Sequence, residues 1–176
     1  MNFLDQFRYT FDNLSELSIT KNQDTETKAS YNNPQLKSLL STSVKVTPEI
    51  FPKVAEAIDQ VFERLKLKNN FNFFITSNHL QTQALCAMMP QSSSAEIIIT
   101  SKMIDLLNGE ELQSVIGHEV SHFYYQHSLY PSPNQARTKT EFLNLLHLSR
   151  AAEISADRAG FLGSGSLEYS LRSMLK

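Results

Sequence analysis

The five residues from His118 to His122, HEVSH, carry the clearest potential for chemistry in this chain of 176 residues. On an α-helix, residues four positions apart lie on one face about one turn apart, so the two imidazoles could bind one metal ion. Glu119 follows the first histidine and could take a proton from a water molecule at that metal. The spacing therefore predicts a metal centre with a carboxylate base beside it.

A second pair of residues four positions apart lies downstream. These residues, Glu153 and Asp157, are both acidic. Catalytic zinc sites use three protein ligands and leave one position for water, and two histidines with one glutamate form a known ligand set. Metal-bound histidines also tend to donate their second ring N–H to a carboxylate. Glu153 suits the third ligand and Asp157 that acceptor. The alternative is that both residues belong to a solvated helix face.

Composition narrows the class of protein. A single cysteine excludes an intrachain disulfide and a multi-cysteine zinc site, and it is typical of a reducing compartment. Sixteen Lys and Arg against 18 Asp and Glu give a net charge of −2, which provides no electrostatic reason to expect a nucleic-acid partner. No apolar run is long enough to cross a bilayer. We expect a soluble cytoplasmic protein, with membrane association only if the chain is a fragment of a longer protein.

Local patterns predict helices around HEVSH and around the Glu153/Asp157 pair, and a small sheet before them. Asn108 and Glu111 have the spacing of a capping box at the start of the helix that carries HEVSH. Gly160 suits the end of the helix that carries Glu153. The predicted strands are 71–76 and 95–100, with a third, irregular strand possible between them; the predicted helices begin at Thr47, Asn108, Glu141 and residue 166, and the second ends near Ser128.

The N-terminal part differs from the rest of the chain. Apolar residues at helical spacing between Phe3 and Leu14 predict a short amphipathic helix over residues 1–17, and residues 18–35 are polar and resemble a linker. We therefore divide the chain into an N-terminal segment, 1–35, and a domain, 36–176. The helix could pack on the domain, bind a partner or a membrane surface, or act as an inhibitory flap.

The order of these motifs resembles that of the HtpX-like and CAAX-prenyl-protease-like zinc metallopeptidases, which are gluzincins with a glutamate as third ligand. The resemblance covers about residues 45–165. It is carried by the blocks 97–100, 108–112, 118–122 with His127, and 153–160. It implies an α+β, zincin-like metallopeptidase domain, mostly helical, with a small sheet whose edge strand borders the active-site helix.

The resemblance also implies the site. One Zn²⁺ ion would be held by His118, His122 and Glu153, with Glu119 as the catalytic carboxylate. Asp157 would be the partner of a ligating histidine. The implied activity is a zinc-dependent metalloendopeptidase in which a metal-activated water and a glutamate general base hydrolyse the peptide bond.

The substrate would be a peptide or protein. The run 95–100 resembles the edge strand of this family, to which an extended peptide could add by backbone hydrogen bonds. The residues that we expect along this groove are Ala84, Ile97, Ile98 and Ile99.

Two alternatives to an active peptidase follow from the sequence. Gluzincins commonly place a histidine or similar donor after the third ligand to stabilise the developing oxyanion, whereas the last histidine here is His147. The chain could therefore be a zinc-binding pseudo-peptidase that acts by protein interaction. It could also be a latent, zymogen-like domain in which residues 1–35 are inhibitory.

Three further residues need a prediction. His127 lies off the ligand face of the predicted helix, so we expect it to have a structural role. His79, in a loop after the first strand, is expected not to bind metal. Cys86 lies in an apolar stretch and is expected to be a buried, inert thiol. The alternative is a thiolate at the open position of zinc in a latent form.

Overall fold

The computed structural model describes residues 3–14, 34–68, 70–77, 83–88 and 94–176. The described part is α+β, as the sequence predicted, with six helices, four strands and short 3₁₀ turns. The helices are α1 (Pro34–Ser41), α2 (Pro52–Leu65), α3 (Ser101–Leu106), α4 (Gly109–Tyr124), α5 (Lys139–Ser164) and α6 (Leu167–Met174). The strands are β1 (Ser43–Lys45), β2 (Phe71–Thr76), β3 (Ala84–Met88) and β4 (Ala95–Thr100). None of the described helices is both long and apolar enough to cross a membrane.

The four strands form one mixed sheet in the order β1-β2-β4-β3. β2 and β4 are parallel, while β1 and β3 run antiparallel to their neighbours. β4 is thus paired on both sides, and the prediction that residues 95–100 form the edge strand is wrong. The reason is visible in Ile97, Ile98 and Ile99, which are at most 3% exposed, because a continuous apolar run is typical of an interior strand. Among the described strands, β1 and β3 are the edge strands, and β3 lies beside α4.

One apolar core joins the sheet to α4, which carries HEVSH, and to α5, which carries Glu153 and Asp157. The stripe of α2 that includes Val54, Val61 and Leu65 is almost fully buried, as expected for an amphipathic helix. It meets one face of the sheet, and α4 contributes Ile116 and Val120 to the same cluster. This packing fixes α4 against the sheet.

Helices α4 and α5 approach each other closely through glycines. A Cβ atom added to Gly117 would lie 2.8 Å from the carbonyl oxygen of Ala159, and one added to Gly160 would lie 2.7 Å from that of Ser114. The prediction that Gly160 ends the helix is therefore wrong. The helix continues to Ser164 and ends at Gly165, whose φ of 68° lies in the left-handed region that glycine favours.

The start of α4 has the capping box that the sequence predicts. The backbone N–H of Glu111 donates to Oδ1 of Asn108 at 2.8 Å, and the backbone N–H of Asn108 donates to Oε2 of Glu111 at 2.9 Å. The helix ends at Tyr124, four residues before the predicted end, and Gln126 then takes a left-handed φ of 59°. This early end turns the chain back towards the helix.

Residues 3–14 pack against the domain without forming the predicted helix. They contain one 3₁₀ turn, Phe3–Gln6, followed by irregular chain. Leu4 is 1% exposed, and its carbonyl oxygen accepts a hydrogen bond from the hydroxyl of Tyr125 at 2.8 Å. The backbone N–H of Tyr9 donates to Oγ of Ser155 on α5 at 2.9 Å. The division at residue 35 stays a prediction, since residues 15–33 lie outside the described part.

Candidate metal centre

The close contact between α4 and α5 brings three nitrogen and oxygen donor atoms together. Nε2 of His118 lies 3.0 Å from Nε2 of His122. Oε2 of Glu153 lies 3.3 Å from Nε2 of His118 and 3.9 Å from Nε2 of His122. The two histidines share one face of α4, and Glu153 faces them from α5 because glycines at 117 and 160 let the two backbones approach.

This donor set fits a zinc ion. Bonds of about 2.0–2.2 Å in tetrahedral geometry would place ligand atoms roughly 3.3–3.6 Å apart. All three observed donor atoms lie within 4.8 Å of one another, and their separations bracket the expected value. Imidazole nitrogens with one carboxylate oxygen are also ligands that zinc accepts readily.

Protonation of the metal-free centre follows from burial and from these contacts. Burial lowers the pKa of His118, but hydrogen bonds to Asp157 and Glu153 raise it to about 10. Burial and the neighbouring charge of His118 lower the pKa of His122 to about 4. One proton is therefore held among the donor atoms at neutral pH. Because metal ligands must be neutral imidazoles, binding of a cation would displace that proton.

Asp157 contacts the rear of the first histidine. Its Oδ1 lies 3.0 Å from Nδ1 of His118, one turn along α5 from Glu153. When Nε2 of His118 faces a metal, Nδ1 carries the ring hydrogen and donates it to this carboxylate. The contact places Asp157 within reach of His118, and its role as the partner of a ligating histidine stays a prediction.

The second histidine has a partner that the sequence did not predict. Nδ1 of His122 lies 2.7 Å from Nδ1 of His127, and Nε2 of His127 lies 3.0 Å from Oδ2 of Asp12. Helical spacing directs His127 away from the ligand face, but the left-handed turn at Gln126 brings it back. No pattern in the sequence pointed to Asp12, which lies 115 positions before His127.

Asp12 is buried but well supplied with donors. The hydroxyl of Tyr130 donates to its Oδ1 at 2.6 Å, and Nε of Arg8 donates to its Oδ2 at 3.1 Å. Burial by itself would raise the pKa of Asp12, but the hydrogen bonds that it accepts, from His127 first and Tyr130 second, hold the pKa well below its usual range. The side chain is therefore a charged acceptor at neutral pH.

Glu119 lies beside the three donor atoms and is held by the edge strand β3. Its carboxylate accepts a hydrogen bond from the backbone N–H of Cys86 in β3. Burial raises the pKa of Glu119, the charge of His118 opposes this rise, and the charge of Glu153 adds to it. A carboxylate with a raised pKa is suited to accept and return a proton near neutral pH.

A cleft of about 450 Å³ opens onto the centre between β3, α5 and the loop after α4. Glu119, His122 and Glu153 line it, and Ala84 lines it from β3. The side chains of residues 97–99, expected in the groove, lie instead in the buried interior strand behind β3.

Cys86 also lines the cleft. Burial and, after it, the charge of Glu119 raise the pKa of Cys86 to about 12, which favours the neutral thiol over a metal-binding thiolate. The prediction on His79 lies outside the described residues.

Comparison with known families adds one finding. The model of the family described as Peptidase family M48 matches residues 48–143, just over half of the chain. The matched span contains His118, Glu119 and His122 and ends before Glu153 and Asp157. No curated protein and no solved structure matches the chain.

Proposed function

Because the chain belongs to Peptidase family M48, a family of metallopeptidases that act on peptides or proteins, we propose that it is a zinc-dependent metalloendopeptidase. The observation that supports this proposal is the convergence of His118, His122 and Glu153, whose donor atoms lie within 4.8 Å of one another, beside the buried carboxylate of Glu119. The cleft of about 450 Å³ gives a peptide access to these groups.

His118, His122 and Glu153 would hold the zinc ion. Bound there, zinc supplies Lewis acidity towards the scissile carbonyl and the attacking water. Asp157 keeps the ring of His118 oriented through its hydrogen bond to Nδ1 at 3.0 Å. Fixing the ligands in this way lowers the reorganisation that the reaction would otherwise require.

Glu119 would carry the protons. Its carboxylate accepts a proton from the attacking water and then delivers it to the leaving amine. Two features of its surroundings suit this role. Burial raises its pKa, and the N–H of Cys86 holds the carboxylate in the lining of the cleft.

The substrate would add to β3, which corrects the strand predicted for this role. The N–H of Cys86 is directed to Glu119 and thus away from β4. Backbone groups alternate in direction along a paired strand, so Ala84 shares this outward orientation, whereas Leu85 faces β4. The outward groups of Ala84 and the carbonyl of Cys86 are available to an extended peptide, which favours binding with little sequence selectivity.

Substitution of Glu119 tests the mechanism. Metal analysis should first find about one equivalent of zinc in the purified protein. Glu119→Gln should then lower proteolysis of casein about 10²- to 10⁴-fold while zinc occupancy is retained. Unchanged proteolysis in this variant would refute the role of Glu119, and failure of the native protein to bind zinc would refute the zinc site.

A second candidate is a zinc-binding protein without peptidase activity. It is favoured by the lack of a histidine after Glu153 in this sequence. Tyr130 lines the cleft and could replace such a donor, but its hydroxyl already donates to Asp12 at 2.6 Å. Turnover of casein that a chelator stops and zinc restores would exclude this candidate.

A further inference from the structure

We propose that the N-terminal segment, residues 3–14, is a working part of the metal centre, because Asp12 positions His122 through His127. This inference rests on the proposed zinc site. It assigns positioning roles to two residues outside the ligand set, one of them before the span that matches the family. Neither residue would touch the metal.

The directions of the hydrogen bonds support a single arrangement. If Nε2 of His122 binds zinc, Nδ1 of this ring must carry the hydrogen and donate it to Nδ1 of His127 at 2.7 Å. Neutral His127 then carries its own hydrogen on Nε2 and donates it to Asp12 at 3.0 Å. Every ring nitrogen has one role, and the series ends on a carboxylate.

Each ligand histidine is thereby linked by hydrogen bonds to a carboxylate. His118 donates directly to Asp157 on α5, and His122 donates to Asp12 through one intervening imidazole. A carboxylate partner orients a ligating imidazole and makes it more basic, and loss of such a partner typically costs 10- to 100-fold in metal affinity.

Burial indicates that Asp12 is built into this position. Its side chain is fully buried, and a buried charge is strongly destabilising unless donors surround it. Tyr130 and Arg8 supply such donors, and Nη2 of Arg8 also donates to the hydroxyl of Tyr130 at 2.6 Å. The arrangement leaves Oδ2 of Asp12 facing both Arg8 and His127.

Residues 3–14 support the metal centre from outside the cleft. None of residues 3–14 lines the cleft, so the described part of the N-terminal segment does not cover Glu119 or Glu153. Contacts with α5 and with the end of α4 hold it on the opposite side of His127. They include the ring of Tyr9 beneath the guanidinium of Arg158 at 5.0 Å.

Zinc affinity tests the inference without an activity assay. We would measure it by competition with a chromogenic chelator in the full chain, for native protein, Asp12→Asn and His127→Phe. Asp12→Asn keeps the shape but removes the charge, and His127→Phe keeps a ring but leaves Nδ1 of His122 without an acceptor. Both should bind zinc about 10- to 100-fold more weakly. The double variant should have a zinc affinity no lower than that of the single variant with the lower affinity, because the two residues act in series.

Leu4→Ala is the matched control. It removes a buried side chain of the same segment and should lower thermal stability, yet it leaves the hydrogen bonds of Asp12 in place. Its zinc affinity should stay within about threefold of native. The visible spectrum of the cobalt-substituted protein should change in Asp12→Asn and remain native in Leu4→Ala.

The outcomes separate the two proposals. A native protein that binds no zinc would refute the proposed function. Native binding together with unchanged affinity in Asp12→Asn and His127→Phe would refute only the inference. An equal loss in Leu4→Ala would also overturn it, because general packing of the segment would then explain the effect. If Asp12→Asn fails to fold, His127→Phe decides the question.

Discussion

Substitution of Gly117 by alanine should weaken both the fold and zinc binding through one contact. The new Cβ would lie 2.8 Å from the carbonyl oxygen of Ala159, and its next neighbour, Cα of Gly160, would lie at 3.1 Å. Both neighbours are backbone atoms, so no side-chain rotation can relieve the overlap. Helix α5 has to move away from α4.

The size of the effect follows from these distances. An ordinary contact begins near 3.4 Å, so α5 must move by about 0.6 Å. Overpacking typically costs about 1–3 kcal/mol, and replacement of a helical glycine by alanine returns about 0.5–1 kcal/mol. We expect a net loss of about 1–2 kcal/mol in the free energy of unfolding, or about 3–6 °C in Tm.

The same movement reaches the metal centre because Glu153 and Asp157 are carried by α5. Ligand distances tolerate only about 0.2 Å of error, so a shift of this size should lower zinc affinity about tenfold. The assay is thermal unfolding of the metal-free protein, followed by chelator competition for zinc.

Gly109→Ala is the control, since it lies on the same helix and its added Cβ would have no neighbour within 4 Å. It should leave Tm and zinc affinity near native. If Gly117→Ala matched Gly109→Ala in both measurements, the argument that backbone contact sets the ligand spacing would be refuted.

Three further predictions concern single side chains. Asp157→Asn should lower zinc affinity about tenfold by removing the charge behind His118, measured by the same competition. Cys86 should react with iodoacetamide at pH 8 at least about 30-fold more slowly in the folded than in the urea-unfolded protein, because its pKa of about 12 suppresses the thiolate. For Asp12, whose pKa is lowered by folding, the stabilisation is complete above about pH 5 and declines as the pH falls below about 4. The unfolding free energy of Asp12→Asn, from urea titrations, should therefore decline less than that of the native protein as the pH falls from about 4 to about 2.

Each of these predictions has an outcome that contradicts it. Native zinc affinity in Asp157→Asn, with Glu168→Gln on the exposed surface of α6 as control, would show that the charge behind His118 is irrelevant. Equal alkylation rates in folded and unfolded protein would show that Cys86 is accessible and ionised. Parallel pH profiles for native protein and Asp12→Asn would show that the buried carboxylate does not change its affinity for protons on folding.

The features that the sequence predicted correctly depend on short segments. The strands at 71–76 and 95–100 have the predicted bounds because each is a compact aromatic or β-branched run. The capping box joins Asn108 and Glu111, which are three positions apart, so its signal is local. A four-residue spacing on each of two helices also singled out His118, His122 and Glu153. The structure brings their donor atoms together, and their role as ligands stays a prediction.

The features that the sequence could not predict depend on distant partners. Gly160 carries the same local signal whether it ends a helix or permits a close contact, and only the position of Gly117 on the other helix decides between them. The order of the sheet is likewise decided by pairing, although the apolar run of β4 already favoured an interior strand. The contact between Asp12 and His127 joins an irregular segment to a turn that breaks helical periodicity.

The long reach of the N-terminal segment has a consequence for the order in which the chain is made. Asp12 is synthesised more than a hundred residues before its partners His127, Tyr130 and Ser155. Contacts with such large sequence separation form late, because they close a long loop before they gain any stabilisation. At the proposed zinc site, full affinity therefore requires synthesis through Asp157, and a nascent chain that already exposes His118 and His122 would hold zinc only weakly.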